Sequence, residues 1–437
     1  MRSLDKIWQA MVGNPVKTIV ITAVFIRITI VMVYGQMTPY PDSEGYMSLG
    51  LRFLNLDLSG YEGERSPGYP FLLALCSLPF ISSHGIIPLG ILLPQLIMGI
   101  VALVLLYKIC LLLGKEKGLA LAVTLIFTAY IPAVFFEMAV LTETLSLFVI
   151  SLIFYFFFQE IAGDRNRLVW LVILCSYLVL IKPFYIFLPF VLLAIFLLKK
   201  RSLKYILIFI FPLLAFLGWS YVNKINTGYF VSTTFYGFNL AQNCVSFAEN
   251  TTPEFQQIGD IYAKYRDNRT TDKEESMAIW EAYPELTENT GLSFPDLSKK
   301  LYDYSIATIK KNPGSYLGQV FISWCDFWKT SLYWEPHNFA VPEAGQPVLY
   351  ITYAERILFQ LIKILFVLLI PYNIIRGIRK RKVEPPFIIS LVVLTASLLQ
   401  AFVTYGTNSR FSFPFESLIL ISVVLNLIMY RKKKATQ

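Results

Sequence analysis

A carboxylate at the end of a long apolar run is the first group in this sequence that could do chemistry. Residues 41–46, PDSEGY, follow that run, and Asp42 is the first ionisable residue among them. Asp42, Tyr46 and Leu49 are spaced so that one face of a helix carries all three. At a membrane surface, partial loss of water would raise the pKa of Asp42 towards the range of a general base. The alternative is that Asp42 occupies the N-cap of this helix and only stabilises it.

Further ionisable side chains lie in or beside the apolar runs. Glu44 is the rival base to Asp42, although on a helix it points to a different face. Glu143, within the sequence LTET, stands in the first turn of another apolar run, where a carboxylate is costly unless it is paired or functional. Glu137 is interpreted as a solvated loop acid. Arg27 lies deep in the first run, so we expect it to face other helices and pair with an acid.

Three basic residues stand at the ends of apolar segments. Arg65 belongs to residues 64–70, ERSPGYP, and Arg410 to residues 408–414, NSRFSFP. A guanidinium group matches the geometry of a phosphate with two parallel hydrogen bonds. Lys182 lies between two short apolar runs. For Arg65 and Arg410, the alternative to a phosphate contact is an anchor at the membrane interface. Lys182 is a further candidate for a phosphate contact.

The elements that must position these residues are membrane helices. The chain is 56% hydrophobic and only 15% charged, whereas soluble domains carry about 25% charged residues. The hydrocarbon core of a bilayer, about 30 Å thick, needs roughly 20 apolar helical residues. The sequence predicts ten spans, at about residues 17–35, 86–108, 119–136, 139–158, 168–181, 183–198, 203–222, 351–375, 386–404 and 412–430.

Two parts of this assignment leave alternatives open. The short runs 168–181 and 183–198 flank a Lys-Pro step and are interpreted as a tight hairpin. One long helix kinked at the proline is the alternative. Residues 67–81 are apolar but rich in proline, so they predict a surface or re-entrant helix rather than a span.

The position of the charges gives an orientation. With ten spans and a cytoplasmic N-terminus, every basic cluster falls on the cytoplasmic side, in agreement with the positive-inside rule. The opposite side holds residues 36–66, with five acids and two bases, and residues 223–350, with fifteen acids and ten bases. The net charge of +9 therefore reflects topology and attraction to anionic lipid rather than a nucleic-acid partner.

Three units follow from this layout. Residues 1–222 form an N-terminal transmembrane module that includes a first external loop at 36–85. Residues 223–350, which we call the insert, form a mainly helical external unit on the acceptor side. Residues 351–437 form a C-terminal transmembrane module. The insert contains Cys244 and Cys325, and an oxidising compartment permits a disulfide there without requiring one.

Taken in order, four motifs resemble those of the GT-C glycosyltransferases. They are PDSxxY at 41–46, RxPGYP at 65–70, LTE at 141–143 and RFxxP at 410–414. The resemblance is to the family 39-like branch, which includes the protein-mannosyltransferases and the aminoarabinose transferases. It covers about residues 15–200 and 400–430 and not the insert. It implies an all-α integral membrane fold of about ten transmembrane helices with external juxtamembrane helices.

The resemblance also implies a reaction and roles for single residues. These enzymes transfer a sugar from a polyprenyl-phosphate carrier on the external face of the membrane, with inversion. Asp42 matches the catalytic base, and Glu143 matches an acid near the active site. Glu64 and Arg65 match an acidic–basic pair whose basic member contacts the lipid phosphate. The protein-mannosyltransferases have a large soluble insert with its own sequence signature, and that signature is absent here. Protein O-mannosylation is therefore not the expected activity.

From these observations we expect a multi-pass enzyme of a bacterial plasma (inner) membrane, with both termini cytoplasmic and the active site periplasmic. Asp42, Glu44 and Glu143 are its candidate catalytic residues. The candidate phosphate ligands are Arg65, Arg410 and Lys182, with supporting roles for Glu64, Tyr46 and Tyr69. The partners are a polyprenyl-phosphate sugar donor, membrane lipid, and a lipid, glycan or protein acceptor. A divalent metal ion held by Asp42 with Glu64 or Glu143 stays open.

Two rival functions come from other classes of protein. A membrane polysaccharide polymerase or ligase would use external arginines and a catalytic His or acid in the large loop. A transporter of lipid-linked sugars would show broken helices and charges at mid-membrane. Most charges of this chain lie outside the apolar runs, which favours the glycosyltransferase.

Overall fold

The computed structural model shows an all-α protein. It describes residues 1–437 except 1, 39, 79–80, 83–84, 87–88, 164, 270–274, 331–333, 335–336, 407 and 436–437. The one pair of strands, within the described part of the chain, is a two-residue antiparallel ladder, β1 (Ile81–Ser82) with β2 (Gly85–Ile86).

The helices of the first half, in chain order, are α1 (Arg2–Gly13), α2 (Pro15–Tyr34), α3 (Pro41–Leu54), α4 (Gly68–Ser77), α5 (Leu89–Gly114), α6 (Lys117–Thr128), α7 (Ile131–Glu137), α8 (Glu143–Ala162), α9 (Leu168–Ile181), α10 (Phe187–Lys200) and α11 (Leu207–Thr227). Those of the second half are α12 (Tyr236–Gln242), α13 (Gln256–Asp267), α14 (Ala278–Thr290), α15 (Phe294–Lys311), α16 (Pro313–Trp328), α17 (Pro342–Lys380), α18 (Pro385–Val403), α19 (Asn408–Ser412) and α20 (Glu416–Ala435).

Among the described residues, eight of the ten predicted spans are continuous helical segments long and apolar enough to cross a membrane. The segment that contains α10 begins at Pro183, because a 3-10 turn at Pro183–Ile186 runs into the helix. The ninth, at 119–136, is a bent pair in which α6 and α7 meet at 61°. Pro132 stands at the second position of α7, where proline is tolerated because it lacks only a hydrogen bond that the helix start leaves unmade. The tenth, α9, has only 14 residues. The segment predicted as a surface or re-entrant helix is α4, ten residues long.

The side chains on the outside of the bundle are apolar. Phe25 and Met32 on α2 are each 70% exposed, and Leu368 on α17 is 69% exposed. In water, such a continuous apolar surface would be unfavourable, but hydrocarbon solvates it well. The inside of the bundle is a single large core to which α3 and α4 contribute Tyr46 and Tyr69.

The insert has a second core of its own. Its central residue is Phe238 on α12, whose ring stacks on the rings of Trp280 and Phe294 at 4.5 and 5.0 Å between centroids. Tyr262 and Tyr304 are fully buried in the same cluster. The insert is mainly helical, as predicted, and its two cysteines, Cys244 and Cys325, are both free thiols.

Two ion pairs are buried between the long helices. The guanidinium of Arg27 on α2 donates to both carboxylate oxygens of Glu137, at 2.8 and 2.6 Å. The prediction that Arg27 pairs inside the bundle is confirmed, whereas the interpretation of Glu137 as a solvated loop acid is wrong, because its side chain is 2% exposed. The reason is the bend after α6, which folds α7 into the bundle. Lys363 on α17 pairs with Glu416 on α20 at 2.7 Å.

Candidate functional site

Five of the sequence-predicted residues meet at one end of the helix bundle. Asp42 comes from the first turn of α3 and Arg65 from the loop before α4. Glu143 is the first residue of α8, Lys182 follows α9, and Arg410 lies on the short helix α19. These elements are far apart in sequence, so only the packing of the bundle brings the five side chains together.

The start of α3 explains how Asp42 is presented. Tyr40 is the N-cap residue, and the backbone N–H of Tyr40 donates to the Ser43 hydroxyl at 3.1 Å. The Ser43 hydroxyl donates in turn to the carbonyl of Val140, next to the start of α8. Asp42 is therefore the second residue of the helix and not its cap, so the capping interpretation is wrong. Its carboxylate is left to interact with other elements.

Two arginines bind the carboxylate of Asp42. Arg65 Nη2 lies 3.0 Å from Oδ1, and Arg410 Nη1 lies 3.1 Å from Oδ2. Burial raises the pKa of Asp42, but the charges of Arg410 and Arg65 outweigh this and lower the pKa to about 2. The expected rise of the pKa towards that of a general base is thus wrong for the site without ligand, because the sequence did not show that two cations flank the carboxylate.

Glu143 organises the other half of the cluster. Its side chain is fully buried, and its Oε1 lies 3.0 Å from Lys182 Nζ and 3.1 Å from Arg410 Nη2. The start of α8 is a favourable place for a carboxylate, because the helix dipole is positive there. Arg410 therefore bridges Asp42 and Glu143. The cluster contains three cations and two anions, a surplus of one positive charge.

Arg65 is packed between a helix and two aromatic rings. Its guanidinium carbon lies 4.8 Å from the ring centroid of Tyr46 and 4.5 Å from that of Phe235. Gly45 on α3 allows this approach, because a Cβ there would lie 2.7 Å from Arg65 Nε. That Nε is buried and has no hydrogen-bond partner among the described residues. Neither Gly45 nor Phe235 was found by sequence reasoning.

Behind Arg65, the tyrosines predicted as supporting residues join a buried polar chain. The rings of Tyr46 and Tyr69 meet edge to face at 5.2 Å. The Tyr69 hydroxyl donates to Gln95 Oε1 at 2.9 Å, and Gln95 Nε2 donates to the carbonyls of Glu137 and Ala139. Gln95 was missed, although a glutamine in the middle of an apolar run was a visible signal.

Two predicted residues lie outside this cluster. Glu44 is exposed, on a different face of α3 from Asp42, as the helical spacing predicted. Glu64 is half-buried, and burial together with the neighbouring Glu62 raises its pKa. Its backbone carbonyl accepts a hydrogen bond from Thr233, which ties this loop to the insert. Neither side chain forms an ion pair with the cluster among the described residues.

The site does not fit a divalent metal ion. Metal ligation by Asp42 and Glu143 would need carboxylate oxygens that face the ion, but both oxygens of Asp42 and Oε1 of Glu143 face the cations Arg65, Arg410 or Lys182. In the part of the chain that the structure describes, no three His, Cys, Asp or Glu side chains are grouped as metal ligands. The arrangement suits an anion instead.

The chain is similar to some solved structures. The chain is similar to the archaeal oligosaccharyltransferase AglB from Archaeoglobus fulgidus in complex with an inhibitory peptide and a dolichol-phosphate, with a TM-score of 0.49 and 12% identity over 98% of this chain and 52% of that one. It is also similar to the apo form of the Archaeoglobus fulgidus oligosaccharyltransferase, with a TM-score of 0.44 and 10% identity over 96% and 52% of the two chains.

This chain spans about half the length of those two. No family model matches the chain, and no curated protein matches its sequence.

Proposed function

We propose that this protein is an inverting glycosyltransferase that moves a sugar from a polyprenyl-phosphate carrier to an acceptor hydroxyl at the external face of the membrane. The observation that supports this most is the cluster around Asp42. It combines a solvent-accessible carboxylate, 31% exposed, with three cations at the end of an apolar helix bundle. A base, an anion site and a lipid-facing surface therefore lie next to one another.

The donor phosphate binds at Arg65 in this proposal. The surplus positive charge of the cluster attracts an anion, and a guanidinium group such as that of Arg65 binds phosphate oxygens through charge-assisted hydrogen bonds. Directly after Arg65, α4 exposes Phe71 and Leu75, each 52% exposed. A polyprenyl chain lies against this apolar surface while its phosphate stays at the arginine. A nucleotide-sugar donor has no lipid chain that could lie against this surface.

The transfer step then needs no group beyond these side chains. The acceptor oxygen attacks the anomeric carbon from the face opposite the phosphate, and the bond from that carbon to the phosphate oxygen breaks. Asp42 takes the proton of the acceptor hydroxyl. Arg65 and Arg410 stabilise the negative charge that develops on the leaving phosphate. Inversion follows because the attack occurs in a single displacement.

Donor binding also prepares Asp42 as a base. With both arginines bound to it, its pKa of about 2 makes the carboxylate a weak base. A phosphate at Arg65 and Arg410 shares their positive charge and adds a negative charge nearby, and both effects raise the pKa of Asp42. Glu143 is fully buried, so its role in this scheme is to position Arg410 and Lys182 rather than to touch the acceptor.

The test is a transfer assay with the purified full chain in detergent, offered either a polyprenyl-phosphate sugar or a nucleotide sugar. Turnover is expected with the lipid donor. Arg65→Ala should weaken donor use about 10- to 100-fold, since a hydrogen bond to a charged group contributes about 1.5–3 kcal/mol. Arg65→Lys should have a smaller effect, because lysine keeps the positive charge but cannot form two parallel hydrogen bonds with the phosphate. Turnover with the nucleotide sugar alone would refute the proposal.

Arg52→Ala is the matched control for Arg65→Ala. Arg52 lies on α3 near the same loop, but its guanidinium binds the backbone carbonyls of Ser59 and Gly60. It should leave donor use within about twofold of wild type. An equal loss in both variants would mean that Arg65 acts on the loop and not on the donor.

The proposed orientation has a separate test. Asn289, exposed on α14 in the insert, and Asn166, exposed between α8 and α9, fall on opposite sides of the membrane in the predicted topology. In a chain without its native cysteines, Asn289→Cys should react with an impermeant maleimide added to intact cells. Asn166→Cys should react only after the cells are opened. The reverse pattern would place the site on the cytoplasmic side.

A transporter of lipid-linked sugars is the second candidate, because two observations favour it. The bend between α6 and α7 is a broken span, and Arg27–Glu137 is a charged pair within the bundle. Reconstitution in liposomes separates the two functions. The transporter moves a fluorescent polyprenyl-phosphate sugar across the bilayer without an acceptor, whereas the transferase forms product on one side and leaves the donor distribution unchanged.

A further inference from the structure

A buried lysine lies behind the helix that carries Arg410. Lys363 is on α17, and its side chain is 1% exposed. Its Nζ contacts Glu416 Oε1 at 2.7 Å and donates to the Ser412 hydroxyl at 2.8 Å and to the Lys329 carbonyl at 3.1 Å. An ammonium group forms three such bonds when it is fully used. Lys363 therefore has a complete and directional set of partners.

These contacts lead directly to the turn that holds Arg410. The Ser412 hydroxyl, which accepts from Lys363, donates to the carbonyl of Ser409 at 2.8 Å. Arg410 is the residue after that carbonyl. On the other side of the same short helix, Asn408 Nδ2 donates to the carbonyl of Ser323 on α16 at 2.9 Å. Helix α19 has only five residues, so these two attachments define where its arginine side chain starts.

Packing of α17 against α20 does not require that the pair Lys363–Glu416 be charged. Burying a lysine and a glutamate costs free energy, and well-packed apolar side chains often hold two helices together equally well. An apolar pair, however, could not fix the orientation of the Ser412 hydroxyl or of the Ser409 carbonyl. The directional bonds of Lys363 are what distinguishes it from a leucine or methionine at this position.

We propose that Lys363 is a positioning residue for Arg410. It holds α19 through Ser412 so that one guanidinium reaches Asp42 and Glu143 together, the geometry in which it meets the donor phosphate. This inference rests on the proposed function, since it takes Arg410 to be a phosphate ligand. Lys363 itself does not touch the donor.

The experiment measures binding of farnesyl phosphate to the purified full chain in detergent, with farnesol as the uncharged control. Lys363→Met alone leaves Glu416 buried without a cation, so the main variant is the double replacement Lys363→Met with Glu416→Leu. We expect it to keep the thermal midpoint of the wild type, to bind farnesyl phosphate about tenfold more weakly, and to bind farnesol unchanged. In an Arg410→Ala background the same pair of replacements should cause no further loss.

Two results overturn the inference. One is wild-type affinity for farnesyl phosphate in the folded double variant. The other is a tenfold loss that persists in the Arg410→Ala background, because Lys363 then acts by another route. If the double variant does not fold, Ser412→Ala replaces it. That variant removes the relay and keeps the ion pair, and we expect it to bind farnesyl phosphate about threefold more weakly. Its wild-type affinity likewise overturns the inference.

A structural measurement distinguishes this failure from a failure of the proposed function. If farnesyl phosphate binds no better than farnesol even to the wild type, the phosphate site is wrong. The position of Arg410 is then read from cryo-EM structures of the wild type and the double variant without ligand. The inference predicts that Arg410 loses its shared contact with Asp42 and Glu143 in the double variant. An unchanged Arg410 overturns it.

Discussion

The buried ion pairs and the cluster at the end of the bundle use the same residue types in two different ways. Arg27–Glu137 and Lys363–Glu416 are one-to-one pairs whose side chains are 5% exposed or less. In the cluster, Asp42 is 31% exposed, Lys182 is 16% exposed, and cations outnumber anions by one. Each pair has no net charge, whereas the cluster is partly accessible and carries one excess positive charge.

This difference separates positions that hold the fold from positions that can bind a ligand. A neutral, buried pair gains little from an anion, because each charge already has an opposite charge as its partner. A partly exposed cluster with an extra cation gains from an incoming phosphate, which can share its arginines. Partial exposure and an excess of one charge, more than the presence of charge in a membrane protein, therefore mark this cluster as the candidate functional site.

The largest effect should come from breaking one buried pair. Arg27→Met leaves the carboxylate of Glu137 buried without its partner, which should destabilise the protein by about 3–5 kcal/mol. Thermal unfolding in detergent measures this destabilisation as a large decrease in the midpoint temperature. Arg27→Met combined with Glu137→Leu should recover most of it, because no charge stays unpaired. Full stability of the single variant would show that the pair is not formed as described.

Within the cluster, Asp42→Asn should act on activity instead. The amide keeps the size of the side chain but cannot take the proton, so transfer should fall by about 10²-fold or more while the protein stays folded. Glu44→Gln is the matched control on the same helix, and its exposed side chain should leave transfer near the wild-type rate. Wild-type activity of Asp42→Asn together with a loss in Glu44→Gln would transfer the role of base to Glu44.

The fold was largely predictable because membrane helices are specified by local composition. Runs of about 20 apolar residues gave the eight long helices, and the proline content of 67–81 gave the short α4. The bend between α6 and α7 was missed, although Pro132 within that apolar run was a visible signal for a break in the helix. Glu137 was misjudged for that reason, because its burial depends on how α7 packs into the bundle after the bend.

The members of the site were predictable and their interactions were not. Motif order singled out Asp42, Arg65 and Arg410 because acids and bases stand out in apolar sequence. That both arginines bind the same carboxylate depends on the packing of α3, α4 and α19, so the direction of the pKa shift of Asp42 was missed. Phe235 contacts Arg65 from the insert. The resemblance of the four motifs does not cover the insert, so it could not single out Phe235.

A smaller effect should report the surplus charge of the cluster. Lys182→Met removes one cation and leaves Glu143 paired with Arg410, so the fold should be affected little. Binding of farnesyl phosphate should weaken by about fivefold or less, as expected for a partly exposed charge. Its dependence on salt should become shallower than that of the wild type. Tighter binding in Lys182→Met would show that the surplus cation does not attract the phosphate.

The smallest expected effect is an absence of pH dependence. Burial raises the pKa of Asp42, but Arg410 and Arg65 lower it further, to about 2, below its ordinary value of 3.8. For a carboxyl whose pKa is lowered by folding, the stabilisation is fully present above the unfolded pKa and is lost only as the pH falls towards the folded pKa. The ion pairs of Asp42 should therefore contribute equally at pH 5, 6.5 and 8. The measurement is the difference in thermal midpoint between the wild type and Asp42→Asn without ligand, which should be constant over this range. If the pKa of Asp42 were instead raised towards neutrality, the wild type would gain stability relative to Asp42→Asn as the pH falls from 8 to 5. Such a trend would mean that the arginines do not hold the carboxylate in the protein without ligand.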